Sequence, residues 1–382
     1  MLFSPGIIKN LKVKNRAFMS AASEHKADEN GTVSREQIAF YEKFAAGGAG
    51  LIISIACNVH STGKSGPRQA SIESDENITG ISKLAEALHR HECCAVIQFC
   101  HSGRWNARYQ ASVGRKAVAP SYIPDTSYDQ SIMKIAAGPY REITGDEIRD
   151  LINHYADGAV RAKESGIDAV QIHAAHDSLL SQFLSPAVNH RTDEWGGTPE
   201  NRMKLHKSII SAIREKLPDF PVFLKLGIQD GFEGGLTFEE GLEAAAALSR
   251  CGFDAIETSQ GLSGNSFNDS SLKQGINNAE KEAYYRKFSS ALKKVSGIPV
   301  ILSGGIRSLT MSEDILQKED ADFVSFCRPW ICESDFINKW QRGESEKSEC
   351  TSCNQCVMRT ARLGESLRCW LRDPEVGAMP MT

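Results

Sequence analysis

Ala169-Val-Gln-Ile-His-Ala-Ala-His-Asp-Ser-Leu-Leu-Ser-Gln-Phe-Leu184 reads as a short buried strand that runs into a loop carrying two histidines. Val170 and Ile172 have the β-branched character of a strand core, and His173 and His176 follow where the strand stops. Parallel α/β folds place their chemistry at that end of a strand. The pattern predicts a site there, and the rest of the chain must supply its walls.

Working outward, short apolar runs recur at Ala17–Met19, Gly50–Ser54, Ala95–Phe99, Ala169–Ile172, Val222–Leu226, Ala255–Glu257, Val300–Ser303 and Phe323–Phe326. Helical patterns lie between them, at Gln37–Gly47, Ile81–His91, Asp146–Ser165, Arg202–Lys216, Glu239–Cys251 and Lys281–Val295. Eight strands alternating with helices predict an α/β fold of the (β/α)8 TIM-barrel type. The competing architecture is an open doubly wound sheet, but no Gly-x-Gly-x-x-Gly follows the first strand. Residues 1–15 carry turn signals at Pro5-Gly6 and Lys12–Asn15 and predict an N-terminal hairpin capping the barrel. Gly103–Glu142 is polar, turn-rich and long, as expected of an excursion over the mouth.

The 382 residues, 41% of them hydrophobic, suffice for a large core, and the net charge of -4 argues against nucleic acid as the main partner. A small-molecule substrate is the expectation. No apolar run approaches the roughly 18 residues of a membrane span, and the N-terminus lacks the regions of a signal peptide, so a cytoplasmic protein is expected. Seven of the eleven cysteines are scattered through apolar contexts. The other four form Cys350-x2-Cys353-x2-Cys356 with Cys369 following, a set that suits metal better than disulfides in a reducing compartment. Spacing alone leaves tetrahedral zinc and a cubane cluster both open. The division expected is a barrel over 1–340 and a cysteine segment over 341–382.

Asn15-Arg16, Gln98–Arg104, the His173 loop, Asn189–Arg202, Ser303–Ile306 and Cys327-Arg328-Pro329 together resemble the old yellow enzyme family of FMN oxidoreductases. With the cysteine segment, the chain is similar to the branch containing 2,4-dienoyl-CoA reductase and trimethylamine dehydrogenase. The resemblance implies FMN across the carboxyl-terminal mouth of the barrel and a [4Fe-4S] cluster on Cys350, Cys353, Cys356 and Cys369.

Gly304 and Gly305 follow the seventh strand, where side-chain-free backbone can approach a phosphate, and Arg328 follows the eighth as a fork of donors. Cys327 stands beside it where the family usually has glycine. Gln98 can offer donor and acceptor to the flavin pyrimidine edge. Lys225, among apolar neighbours, needs an anionic partner, and flavin is the partner expected. Ser23 falls where some relatives place a cysteine, including the one that holds FMN covalently, so FMN here is expected to be non-covalent. Ala56 is expected to give backbone contact.

His173 and His176, as paired neutral N–H donors, are expected to bind a substrate carbonyl and stabilise the enolate formed on reduction of an activated C=C bond. Amine oxidation and service as an electron-transfer subunit are the alternatives. In ene-reductases of this family a tyrosine stands where this chain has Ser178, so the usual proton donor is missing. No nicotinamide domain follows Cys369 in the sequence, so electrons are expected from NAD(P)H visiting FMN or through the cluster from a separate electron-transfer protein. Oligomeric state is not legible.

Overall fold

The eight apolar runs close into one barrel of parallel strands. The computed structural model describes residues 1–123, 138–363 and 366–372. An antiparallel hairpin, β1 (Gly6–Ile8) and β2 (Leu11–Val13), comes first. The barrel strands are β3 (Ala17–Met19), β4 (Leu51–Asn58), β5 (Cys94–Cys100), β8 (Ala169–Ala174), β9 (Val222–Gly227), β10 (Ala255–Ser259), β11 (Val300–Leu302) and β12 (Phe323–Phe326). They neighbour one another in sequence order, and β12 pairs with β3 to close the ring. A separate parallel pair, β6 (Ala117–Ala119) and β7 (Tyr140–Glu142), belongs to the excursion after β5. Residues 124–137 of that excursion, and 373–382 of the cysteine segment, lie outside the described residues.

The helices are α1 (Arg35–Ala46), α2 (Ile78–His89), α3 (Ala107–Ser112), α4 (Gly145–Glu164), α5 (Leu179–Leu184), α6 (Pro199–Arg202), α7 (Lys204–Lys216), α8 (Phe238–Ser249), α9 (Arg286–Val295), α10 (Leu309–Gln317), α11 (Arg328–Cys332), α12 (Phe336–Gln341) and α13 (Gln355–Leu363). Two differ from the pattern. The stretch expected as one helix from Arg202 is split, because Thr198 and Pro199 start a separate short turn, α6. α9 begins at Arg286 rather than Lys281, since Asn278 caps a lone 3₁₀ turn at Ala279–Lys281. Capping boxes at Thr144–Glu147 and Thr237–Glu240 fix the starts of α4 and α8. Among the described residues no helix is long and apolar enough to cross a membrane.

The barrel interior is graded along its axis, and the two-residue period of a strand is the reason. At the amino end Phe18, Val96, Ala169, Phe223, Ala255, Ile301 and Phe323 pack into one apolar cluster, closed from below by Ile8 and Val13 of the hairpin. Two residues further along the same strands stand Ser20, Gln98, Gln171, Lys225, Glu257, Ser303 and Ser325, all buried. Two further again come His173 and Ser259. The inside therefore changes from hydrocarbon to charge to imidazole on approaching the mouth.

Candidate active site

A cavity of about 700 Å3 opens at the carboxyl ends of the strands, with Ser20, Gln98, His173, Lys225 and Ser325 among its lining residues. Its floor is a connected polar network. Glu257 is fully buried and accepts from Ser20 Oγ at 2.6 Å, Ser325 Oγ at 2.8 Å and Gln171 Nε2 at 2.9 Å, and Lys225 Nζ lies 3.0 Å from it. Lys225 also donates to Ser20 Oγ at 2.7 Å, and Gln98 Nε2 donates to Gln171 Oε1 at 2.7 Å. Lys225 thus has a protein anionic partner that the sequence did not single out, Glu257, opposite it in the strand register. Burial pushes the Glu257 carboxyl up, but Lys225 and the three donors outweigh it and hold it below its ordinary value.

Above this floor stand the two histidines. His173 is opposite Lys225 in register, and its ring lies 5.2 Å from that of His176 at 71°. Burial, reinforced by the Lys225 charge, pushes the His173 imidazole down to about 3. Burial and the same lysine hold His176 well below the ordinary value. Both are neutral near pH 7. Nδ1 of His173 is buried without a protein partner, whereas His176 Nε2 is 2.6 Å from Ser259 Oγ. One His176 nitrogen is therefore committed to the protein, and only Nδ1 remains for a ligand.

The loop that presents His176 is bent into an uncommon shape. His176 and Asp177 are successive non-glycine residues in the left-handed region, with φ of 53° and 62°. Each such residue costs on the order of 1 kcal/mol, which the surroundings must offset. His176 N donates to Gln260 O at 3.0 Å, and the Asp177 carboxylate accepts from Ser263 N at 3.0 Å and Ser263 Oγ at 2.8 Å. Ser178, buried at the start of α5, donates its hydroxyl to His173 O at 3.1 Å. Its role in the structure is to fasten this turn.

At the opposite wall, Gly304 and Gly305 have φ of 110° and 74°, and a Cβ on either would run into Tyr284 or Tyr285 within 2.6 Å. The two tyrosines pack edge to face at 4.6 Å. Arg307 and Arg328, each 8% exposed, line the same region. Arg328 Nη1 donates to Lys273 O at 2.8 Å and to Asn354 Oδ1, and Asn354 Nδ2 donates to Leu272 O. Burial raises the Cys327 thiol to about 11, and this residue lines the cavity next to Arg328. Ser23 is exposed at the rim. Ala56 lies one layer back, where its carbonyl accepts from Gln69 Nε2 at 2.8 Å and Gln69 forms the wall.

The cysteine segment docks against this wall: Ser348 N donates to Arg307 O at 2.8 Å, and Ser352 O accepts from Gly275 N at 3.2 Å. Cys332, at the end of α11, adds a thiol that the spacing did not single out. Its thiol neighbours those of Cys350 and Cys369 and holds both below the ordinary thiol value. Burial raises Cys356 to about 12. Among the described residues no three cysteine sulfurs lie within 4.8 Å of one another. Four thiolates on one zinc would sit roughly 3.8 Å apart, given Zn–S of about 2.3 Å. The sulfurs are spread more widely than a single ion requires.

A closed parallel barrel with a charged floor, neutral imidazoles and paired arginines at its carboxyl-terminal mouth places the candidate site where (β/α)8 barrels carry theirs. The sequence profile of the NADH:flavin oxidoreductase / NADH oxidase family matches residues 1–347, and the chain belongs to that family. It is 34% identical over 373 residues to an NADH oxidase of Thermoanaerobacter brockii, covering 96% of this chain and 55% of that protein. It is 31% identical over 331 residues to an NADPH dehydrogenase of Bacillus pumilus, covering 86% and 91%. The solved complex of 2-naphthoyl-CoA reductase with 2-naphthoyl-CoA superposes with a TM-score of 0.88 at 26% identity, covering 98% of this chain and 57% of that one. The chain thus spans about half the length of its longer relatives.

Proposed function

We propose that this chain is an FMN- and [4Fe-4S]-dependent oxidoreductase that reduces an activated C=C bond, in an enoate, enone or enoyl thioester. The observation that carries the reading is the His173–His176 pair, neutral and lining together a cavity floored by Lys225. The cavity volume falls in the range of cofactor sites. The donor set fits FMN: Arg307, Arg328 and the Gly304-Gly305 backbone for an anionic end, Gln98 and Lys225 for a polar ring edge, with Cys327, Ser23 and Ala56 around them. Cys350, Cys353, Cys356 and Cys369 supply the four thiolates that a [4Fe-4S] cluster takes. The relatives that cover 96% and 98% of this chain leave too few residues unmatched to omit that segment, so the segment as a whole is not peculiar to this chain. The likeness to a reductase of an aryl-CoA thioester favours a thioester among the three substrate classes.

FMN, when bound, supplies hydride and single-electron chemistry at this site, with NAD(P)H or a separate electron-transfer protein as its source. The protein's part is electrostatic. His173 and His176 donate N–H groups to the carbonyl oxygen, where negative charge grows as the β-carbon is reduced. For His176 this requires Nδ1–H, with Nε2 accepting from Ser259. The α-carbon still needs a proton, and Ser178 is unsuited because its hydroxyl is spent on His173 O. The Asp177 carboxylate is held by Ser263, and Tyr284 donates to Ser271 O at 3.0 Å. Tyr285 is the remaining source: burial keeps it protonated, it lines the cavity, and its hydroxyl makes a long contact, donating to Gln260 Oε1 at 3.4 Å.

Anaerobic purification followed by flavin, iron and sulfide analysis tests the cofactors. Parallel turnover with enones, enoyl thioesters and amines tests the chemistry. Amine oxidation without any alkene reduction would overturn it.

A further inference from the structure

Away from the cavity floor, on the outer side of the barrel, three ligand-bearing side chains meet. His60 follows β4, while Asp150 and His154 sit one turn apart on α4. Their ligand atoms all lie within 4.8 Å of one another, and the two imidazole rings are 4.7 Å apart. Among the described residues this is the one group of three or more gathered so closely. The ring of His60 is fixed by the short contact of its Nδ1 with Thr62 Oγ1, 2.7 Å. Donation of Nδ1–H to that hydroxyl oxygen is the way a metal-binding imidazole is oriented by its other nitrogen, and it leaves the Nε2 lone pair for a cation. The bland reading is a helical Asp150–His154 ion pair, but their separation is 3.5 Å, Asp150 is 64% exposed, and among the described residues it has no lysine or arginine partner. That pair leaves the second imidazole unexplained.

We propose that His60, Asp150 and His154 form a binding site for one divalent transition cation of the zinc type, separate from the cysteine segment. Two imidazoles and one carboxylate are a borderline-soft donor set, and three protein ligands leave room for water. Zinc would draw the ligand atoms to roughly 3.3 Å apart, a contraction that an exposed aspartate and a helix-surface histidine can make. Imidazole binds metal in its neutral form, so uptake should weaken as pH falls below the histidine range. Glu73 adds negative charge near His60 and Arg115 opposes it.

The site has a structural consequence. From His60 the chain runs through Thr62, whose hydroxyl is 3.1 Å from His101 Nε2, to Ser65–Gln69 in the cavity wall. A bound cation would staple that wall to α4.

The test uses the whole chain, purified without oxygen so that the cysteines keep their native occupancy. Equilibrium dialysis against micromolar free zinc, with elemental analysis, should give one zinc per chain beyond any present at purification. His154→Gln should abolish that equivalent, and Asp150→Asn should weaken it at least about tenfold. Cys353→Ser should leave it in place. Zinc should raise the unfolding temperature of the parent and not that of His154→Gln. The proposal fails if both variants take up zinc as the parent does, or if the parent takes up none. Should His154→Gln fold poorly, shown by altered circular dichroism, the exposed Asp150→Asn decides alone.

Discussion

Glu257→Gln is the perturbation that asks most of this structure. The change keeps the shape of the side chain and removes the charge that Lys225 faces at 3.0 Å, with both residues at most 3% exposed. Leaving one partner of a buried pair uncompensated costs about 3–5 kcal/mol. For a chain of this length, that corresponds to a fall in unfolding temperature of roughly 4–6 °C. Scanning calorimetry at one fixed scan rate, beside equilibrium urea unfolding, measures it. The double variant Lys225→Met/Glu257→Gln removes both charges and should recover part of the loss, giving a favourable coupling for the parent pair. The pH dependence has a definite sign. Because the Glu257 carboxyl is held below its unfolded value of about 4.3, its contribution is complete above that pH and is lost as pH falls through the folded value. The parent's advantage over Glu257→Gln should thus be level from about pH 5 upward and shrink in stronger acid. A single variant within about 0.5 kcal/mol of the parent would refute the reasoning.

Three further outcomes are expected. Cys353→Ser should lose iron while FMN remains on the barrel, and Cys332→Ser should keep its iron, as plasma emission and flavin absorbance on anaerobic protein would show; loss of iron from Cys332→Ser alone would reassign the ligands. Ser178→Ala should change turnover by less than about tenfold, roughly 1.4 kcal/mol of barrier, whereas His176→Ala and Tyr285→Phe should each cost more; equal damage from Ser178→Ala would make that serine a participant. With His173 pushed down to about 3, its folded form resists the proton that the unfolded chain takes up near pH 6.5, so stability is lost as pH falls between those values. His173→Gln should therefore be relatively more stable than the parent at pH 5, by about 2 kcal/mol, and a constant difference from pH 5 to 8 would contradict the neutral assignment.

Much of the frame was visible in the sequence because burial on both faces writes a parallel strand as a continuous apolar run. All eight barrel strands announce themselves that way, and so does the hairpin through its turn residues. What the runs conceal is parity. Glu257 sits in Ala255-Ile-Glu-Thr-Ser259 and reads as the polar face of an ordinary strand, although it is fully buried inside the barrel. Once Phe223 and Ala255 are known to face inward, Lys225 and Glu257 follow by counting two, but only the closed ring reveals which residues those are. The thiol of Cys332 and the pairing of His60 with His154 were hidden by sequence distance, which no spacing rule bridges. Ser178 was singled out for the tyrosine it replaces, while its hydrogen bond to His173 depends on the left-handed turn at His176–Asp177.

The chain of amides beneath the cavity has a direction. An ionised carboxylate can only accept, so Glu257 obliges Gln171 to turn its NH2 downward and its carbonyl toward Gln98. Gln98 must then point its own NH2 at Gln171, and its carbonyl oxygen is left for whatever lies above. The amide dipoles are thus aligned head to tail by a residue that does not itself line the cavity. A neutral side chain at position 257 would allow the whole row to reverse, exchanging acceptor for donor at the cavity floor without moving any backbone atom. In this barrel the polarity shown to a bound ring is set from below, by a charge two strands away from Gln98's nearest neighbour.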